Sequence, residues 1–120
     1  MGQKYRTEHD SMGEVNVPEN ALYGAQTQRA VNNFSIAQQP MPEVFLRALV
    51  TVKLVSAITN GRTGELEADV AASIENAALS LLTDNHFTDH FPVDVFQTGS
   101  GTSSNMNVNE VLARMASLAS

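Results

Sequence analysis

Glu43-Val-Phe-Leu-Arg-Ala-Leu-Val-Thr-Val-Lys-Leu-Val-Ser-Ala-Ile-Thr-Asn60 is the most apolar stretch of the sequence, and its reading decides the fold class. Val44, Phe45, Ala48, Leu49, Val52 and Val55 form one stripe at helical spacing, and Leu46, Val50, Leu54 and Ile58 form a second. A helix that is apolar around most of its circumference belongs inside an assembly of other elements. Pro42 suits the first helical position, with Glu43 behind it to favour the helix dipole. Asn60-Gly61 is the expected stop.

Working outward, a second helix is expected from about residue 65 to 83. Leu66, Val70, Ile74, Ala78 and Leu81 recur on one face, with Glu67, Ser73 and Ser80 on the other. A last helix is expected from about Ser104 to Ala119, with Val108, Val111, Leu112, Met115 and Ala119 on one face. Upstream, Asn20 is a plausible N-cap for a helix through Ala21-Leu-Tyr-Gly-Ala-Gln-Thr-Gln-Arg-Ala-Val31, although Gly24 weakens its first turn. Val15-Asn-Val17-Pro18 reads as at most a small edge strand. Residues 84–101 are irregular, with Val93-Asp-Val-Phe-Gln97 short and extended. The expected class is therefore mainly α, with a short extended segment at the start.

The chain has 120 residues, the size of one domain. Hydrophobic residues make up 42% and charged residues 17%, which places it among globular proteins rather than disordered ones. Seven Lys+Arg against thirteen Asp+Glu give a net charge of −6, so a broad electrostatic nucleic-acid interface is excluded. Zero cysteines exclude a disulfide scaffold, a zinc-thiolate site and a cysteine nucleophile, and fit a reducing cytoplasm. No apolar run approaches the about 18 residues of a membrane span. The first residues lack the apolar core of a secretory signal, so a cytoplasmic location without membrane attachment is expected. The sequence stops at the end of a helix that still shows an apolar face, which suggests a fragment or a face awaiting a partner.

Thr98-Gly-Ser-Gly-Thr-Ser-Ser-Asn-Met-Asn107 packs two glycines, five hydroxyls and two asparagine amides directly ahead of a helix. Glycines let successive N–H groups point into one concavity, and a helix N-terminus adds free donors and partial positive charge. Such a place suits an anion without any lysine. The Lys-Ser/Thr pair of a P-loop is absent, and Ser104 stands where a dinucleotide fingerprint needs its third glycine. By spacing alone the stretch reads equally as an ordinary capped helix, with Ser103 or Ser104 as N-cap.

Phe91-Pro-Val-Asp-Val-Phe-Gln-Thr-Gly-Ser-Gly-Thr-Ser-Ser-Asn-Met-Asn-Val-Asn-Glu-Val111 resembles a signature block of the fumarase/aspartase superfamily, in its class II, iron-free fumarate hydratase form. Asp10-Ser-Met-Gly-Glu-Val-Asn-Val-Pro18 and Leu22-Tyr-Gly-Ala-Gln-Thr-Gln-Arg-Ala-Val31 form a second, independent match. Aspartases resemble Gly-Val-His-Thr-Leu-Arg-Ala where this chain has Gly24-Ala-Gln-Thr-Gln-Arg-Ala30. They also carry Gly-Gly-Ala-Gly-Thr-Ser where this chain has Gly99 and then Ser100-Gly-Thr-Ser103. Both differences favour the hydratase.

The resemblance implies that residues 1–120 are the N-terminal helical domain of a homotetrameric lyase of the tricarboxylic acid cycle, interconverting fumarate and (S)-malate without metal or organic cofactor. The central helical bundle and C-terminal domain of that fold are absent from this sequence. Carried across by position, Ser100 and Thr102 match substrate-contacting side chains, and Gly101 matches the residue whose backbone lies against the substrate. Asn105 and Asn107 match an amide pair that orients the loop. In the family the general base is a serine on a mobile Gly-Ser-Ser-x-Met-Pro-x-Lys-x-Asn loop, helped by a histidine-carboxylate pair. Neither lies in these 120 residues, so no catalytic proton-transfer residue is assigned here, and the 120 residues alone are expected to be inactive.

Other signals are weaker. His86 and His90 sit near Asp84, Asp89 and Asp94, but the intervening Phe-Thr-Asp is not a zincin motif and Pro92 follows closely. That segment reads as a solvated loop and not a metal site, and His9 as a surface residue. Arg29 suits a substrate carboxylate, a structural ion pair or a helix C-terminal role. Two alternatives stand beside the hydratase: aspartase or another lyase of the superfamily, and a non-catalytic helical interaction module built on the apolar excess of residues 44–58.

Overall fold

The computed structural model describes residues 3–33, 42–92 and 102–119. Two strands open the chain. β1 (Tyr5–Asp10) and β2 (Gly13–Pro18) pair antiparallel, with Arg6 opposite Val17 and Asp10 opposite Gly13. The chain enters β2 through Gly13 at a φ of +117°, a conformation open to glycine, and in the turn Asp10 Oδ1 accepts the Met12 N–H at 2.9 Å. β1 was not expected, because its alternation of Tyr5, Thr7 and His9 with Arg6, Glu8 and Asp10 carries no apolar face.

The helices are α1 (Ala25–Asn33), α2 (Glu43–Thr63), α3 (Ala68–Leu82) and α4 (Thr102–Ala119), with a four-residue 3₁₀ helix at Phe87–His90. The mainly α expectation holds; several boundaries move. α1 starts four residues later than the Asn20 cap implied, and Arg6 is the reason. Its guanidinium takes the carbonyls of Pro18, Glu19, Ala21 and Tyr23 at 2.8–3.0 Å, so residues 18–23 are held in a non-helical path. α2 runs through Gly61 and ends at Gly64, the residue with φ +80°. Gly61 is instead a point of close approach, where an added Cβ would lie 2.8 Å from Ala71 Cβ on α3. Residue 65 is not helical, because the Leu66 N–H returns to the Asn60 carbonyl at 3.1 Å and closes α2 first.

α2 packs against α3 and α4, and α1 packs against α4 and the hairpin. The core gathers Leu46, Val50, Ala78, Leu81, Phe87, Phe91, Val108 and Val111. Of the two stripes on α2, the one through Leu46 and Val50 turns inward. On the other, Val44 is 82%, Val52 58% and Val55 56% exposed. On α3 the buried row is Ala71, Ala77, Ala78 and Leu81, and Val70, expected inside, is 43% exposed. Arg47 closes one end of the core: it donates to Glu43 Oε2 and to the Leu82 carbonyl, both at 2.7 Å, and lies 4.3 Å over the Phe87 ring. Against the expectation from sequence, α2 is long and apolar enough to cross a membrane by length and composition. Its average includes Arg47 and Lys53, which break any continuous apolar run, and one side of it lies in the protein core.

Candidate functional site

α4 is the element on which the chemistry-bearing residues converge. It begins at Thr102, so Ser103 and Ser104 lie within the helix and neither is its N-cap; Ser104 is fully buried. Ser100 and Gly101 lie outside the described residues, as does the Val93–Gln97 stretch, and of Thr102 only its place as the first helical residue is described. Asn105 is half-buried. Asn107 is fully buried and donates from Nδ2 to the His90 carbonyl at 2.9 Å, tying α4 to the segment that leads into residues 93–101.

That segment is built, not merely solvated. Asp84 Oδ2 lies 2.9 Å from His90 Nε2, and Asp84 Oδ1 accepts the His86 N–H at 2.7 Å. The His90 contact first, and the His86 N–H next, hold the Asp84 carboxyl below its ordinary value. Phe87 and Phe91 pack against each other with ring centroids 4.9 Å apart and planes tilted by 38°. The expectation of a solvated loop therefore fails for His90, whose side chain is 16% exposed, and stands for His86 at 78%. Among the described residues, no group of three or more His, Asp or Glu could hold a metal ion.

The upstream motif meets the same helix through Glu110, a residue that the sequence gave no reason to single out. Glu110 Oε1 accepts the N–H of Gly24 at 3.1 Å and of Thr27 at 2.9 Å, and Oε2 accepts that of Gln26 at 3.0 Å. One carboxylate thus takes three donors at the start of α1, where charge and helix dipole reinforce each other. Gly24 lets the carboxylate come this close, since an added Cβ would sit 2.8 Å from Oε2 and displace it. Arg29 resolves to the structural alternative: its Nε donates to Asp10 Oδ2 at 2.7 Å, which is the main reason the Asp10 carboxyl stays below its ordinary value. Arg114, four residues beyond Glu110, comes within 3.7 Å of Glu8 on β1.

The four α-helices among the described residues differ in how their N-termini are answered. α2 carries Glu43 and α3 carries Asp69 in the first turn. α1 has no acid of its own and receives Glu110; α4 also has none in its first turn. The start of α4 is therefore free of a first-turn carboxylate of its own, at the end of the Gly-Ser-Gly-Thr stretch.

Comparison with known proteins gives a consistent result. A family model described as lyase matches residues 13–119. The chain is 57% identical over 112 residues to the fumarate hydratase class II 2 of Pseudomonas aeruginosa, covering 93% of this chain and 24% of that one. It is 52% identical over 113 residues to the class II fumarate hydratase of Xylella fastidiosa, covering 94% and 24%. Among solved structures, the class II fumarase from Schistosoma mansoni superposes with a TM-score of 0.90 at 38% identity, over 95% of this chain and 24% of that one. A fumarate lyase:delta crystallin from Brucella melitensis, bound to cobalt, superposes with a TM-score of 0.86 at 42% identity, over 94% and 25%. The chain spans about a quarter of the length of the curated relatives it matches.

Proposed function

The chain belongs to the lyase family, and we propose that it is the N-terminal domain of a class II fumarate hydratase, interconverting fumarate and (S)-malate. Its part in the reaction is to supply one wall of the site. Ser100 and Thr102 hydrogen-bond a substrate carboxylate, the Gly101 backbone lies against it, and Asn105 and Asn107 orient the loop. The observation that carries this reading is the acid-free first turn of α4, directly after a run of hydroxyls and glycines. A helix start of that kind accepts an anion without a cation.

The chemistry asks for such a wall. Removing the C3 proton of malate drives charge onto the neighbouring carboxylate, which approaches a doubly charged aci-form. Fixed neutral donors aimed at that developing charge lower the barrier without reorganising during the step. Hydroxyls at Ser100 and Thr102 also suit the water or hydroxyl exchanged at C2. Proton transfer itself falls to groups outside these 120 residues, in a homotetramer whose sites combine several subunits, and the lack of cysteine suits work in the cytoplasm.

Activity assays test this directly. The full-length protein should consume fumarate, followed by its ultraviolet absorbance, and should not add ammonia to it, while residues 1–120 alone should turn over neither. Hydration by the isolated 120 residues, or a full-length protein that acts as an ammonia-lyase, overturns the reading.

A further inference from the structure

Glu110 lies eight residues beyond Thr102, about 12 Å along the helix at 1.5 Å per residue, so it does not reach a ligand at the start of α4. Its carboxylate is nevertheless the most specific link between the two motif blocks. Resting on the reading of that helix start as a dicarboxylate site, we propose that Glu110 is a positioning residue. By gripping the first turn of α1 it fixes the rotation and axial position of α4, and so the placement of the donors at its start.

Two kinds of contact hold α4, and they differ in directionality. α4 packs through Val108, Val111 and Leu112, all buried against apolar neighbours. Apolar contact is non-directional and holds the helix against the core without setting its register finely. The polar face does set it. Asn107, Glu110 and Arg114 follow at spacings of three and four, which places them in one row on the helix. Asn107 reaches the His90 carbonyl, Glu110 reaches three backbone donors 83 to 86 residues away in sequence, and Arg114 approaches Glu8. Of the three, only Glu110 makes several charge-assisted bonds to rigid backbone, the geometry that tolerates least displacement. The 2.8 Å clearance at Gly24 bears on this from the other partner: an added methyl group would displace the Glu110 carboxylate from its donors.

Two variants of the full-length protein test this from opposite sides. Glu110→Gln keeps the volume and turns one acceptor into an NH2 group facing N–H donors. Gly24→Ala leaves the charge in place and pushes a methyl carbon into Oε2, so it serves even if Glu110→Gln fails to fold. In both, amide hydrogen exchange should quicken at Gly24, Gln26 and Thr27 and also in the first turn of α4. Fumarate hydration should lose roughly 10- to 100-fold in kcat per folded enzyme, with a smaller change in KM, as displaced positioning groups do. The double variant should be no worse than the more severe single one. Faster exchange confined to α1, or a lower melting temperature with wild-type kcat, overturns the proposal and leaves Glu110 a helix cap. If the wild-type protein does not hydrate fumarate, the functional reading fails on its own, and the exchange pattern alone decides the role of Glu110.

Discussion

Gly61→Ala is a substitution whose sign depends on the packing of α2 against α3. On an exposed helix, alanine in place of glycine gains about 1 kcal/mol of helix propensity. Here the new Cβ would stand 2.8 Å from Ala71 Cβ, against about 3.5–4.0 Å for an unstrained carbon pair. Both atoms are fixed to their backbones, so no rotamer change relieves the contact and the helices must part by most of an ångström. Overpacking of that kind costs about 1–3 kcal/mol. Combining the two terms leaves the variant about 0–2 kcal/mol less stable, or several degrees in Tm at this chain length. The decisive reading is a double-mutant cycle with Ala71→Gly, in urea melts followed by circular dichroism. Because Ala71→Gly removes the clash, the double variant should be more stable than the sum of the singles by about 1–3 kcal/mol. Strict additivity, or a Gly61→Ala protein that melts above wild type, refutes the close approach.

Two further outcomes are expected. Asp10 and Asp84 have carboxyls held below the ordinary value of 3.8 by Arg29 and His90 respectively. Their stabilising contribution is full above that value and is lost as pH falls below it through the lowered values of the folded protein. Asp10→Asn or Asp84→Asn should therefore lower Tm at neutral pH and flatten its decline on acidification; melting curves that merely run parallel to wild type at every pH would contradict both pairings. The outward stripe of Val44, Val52 and Val55 on α2 leaves apolar surface open in the isolated 120 residues. A hydrophobic dye should bind there and Val52→Lys should reduce the binding, whereas a dye-silent monomer counts against that exposure.

Much of this architecture was legible in the chain. Helical spacing located α2, α3 and α4, and the Phe91–Val111 block together with the upstream Asp10–Pro18 and Leu22–Val31 stretches pointed to the family. What stayed hidden has identifiable physical causes. α2 is apolar on two stripes, so periodicity alone could not choose the inward one; α3 and α4 make that choice by covering Leu46 and Val50. Asn60-Gly61 carries the local signature of a helix stop, but the left-handed residue is Gly64, and Gly61 is small because α3 passes close by. Arg6 and Glu110 act on backbone atoms far away in sequence, and a backbone partner leaves no residue type for a motif to show. A glycine at position 24, too early for a helix stop and inside an otherwise helical stretch, was the one available hint of a close approach.

The central claim is that the start of α4 binds a substrate carboxylate, and Thr102→Val in the full-length enzyme tests it most directly. The swap is nearly isosteric, so the loop can keep its shape while one hydroxyl donor is lost. The account predicts a kcat lower by roughly 100- to 1000-fold, the usual cost of losing one donor to developing charge, with Tm nearly unchanged. A variant that melts lower, as loss of a purely structural hydroxyl would cause, yet turns over fumarate at the wild-type rate would contradict it.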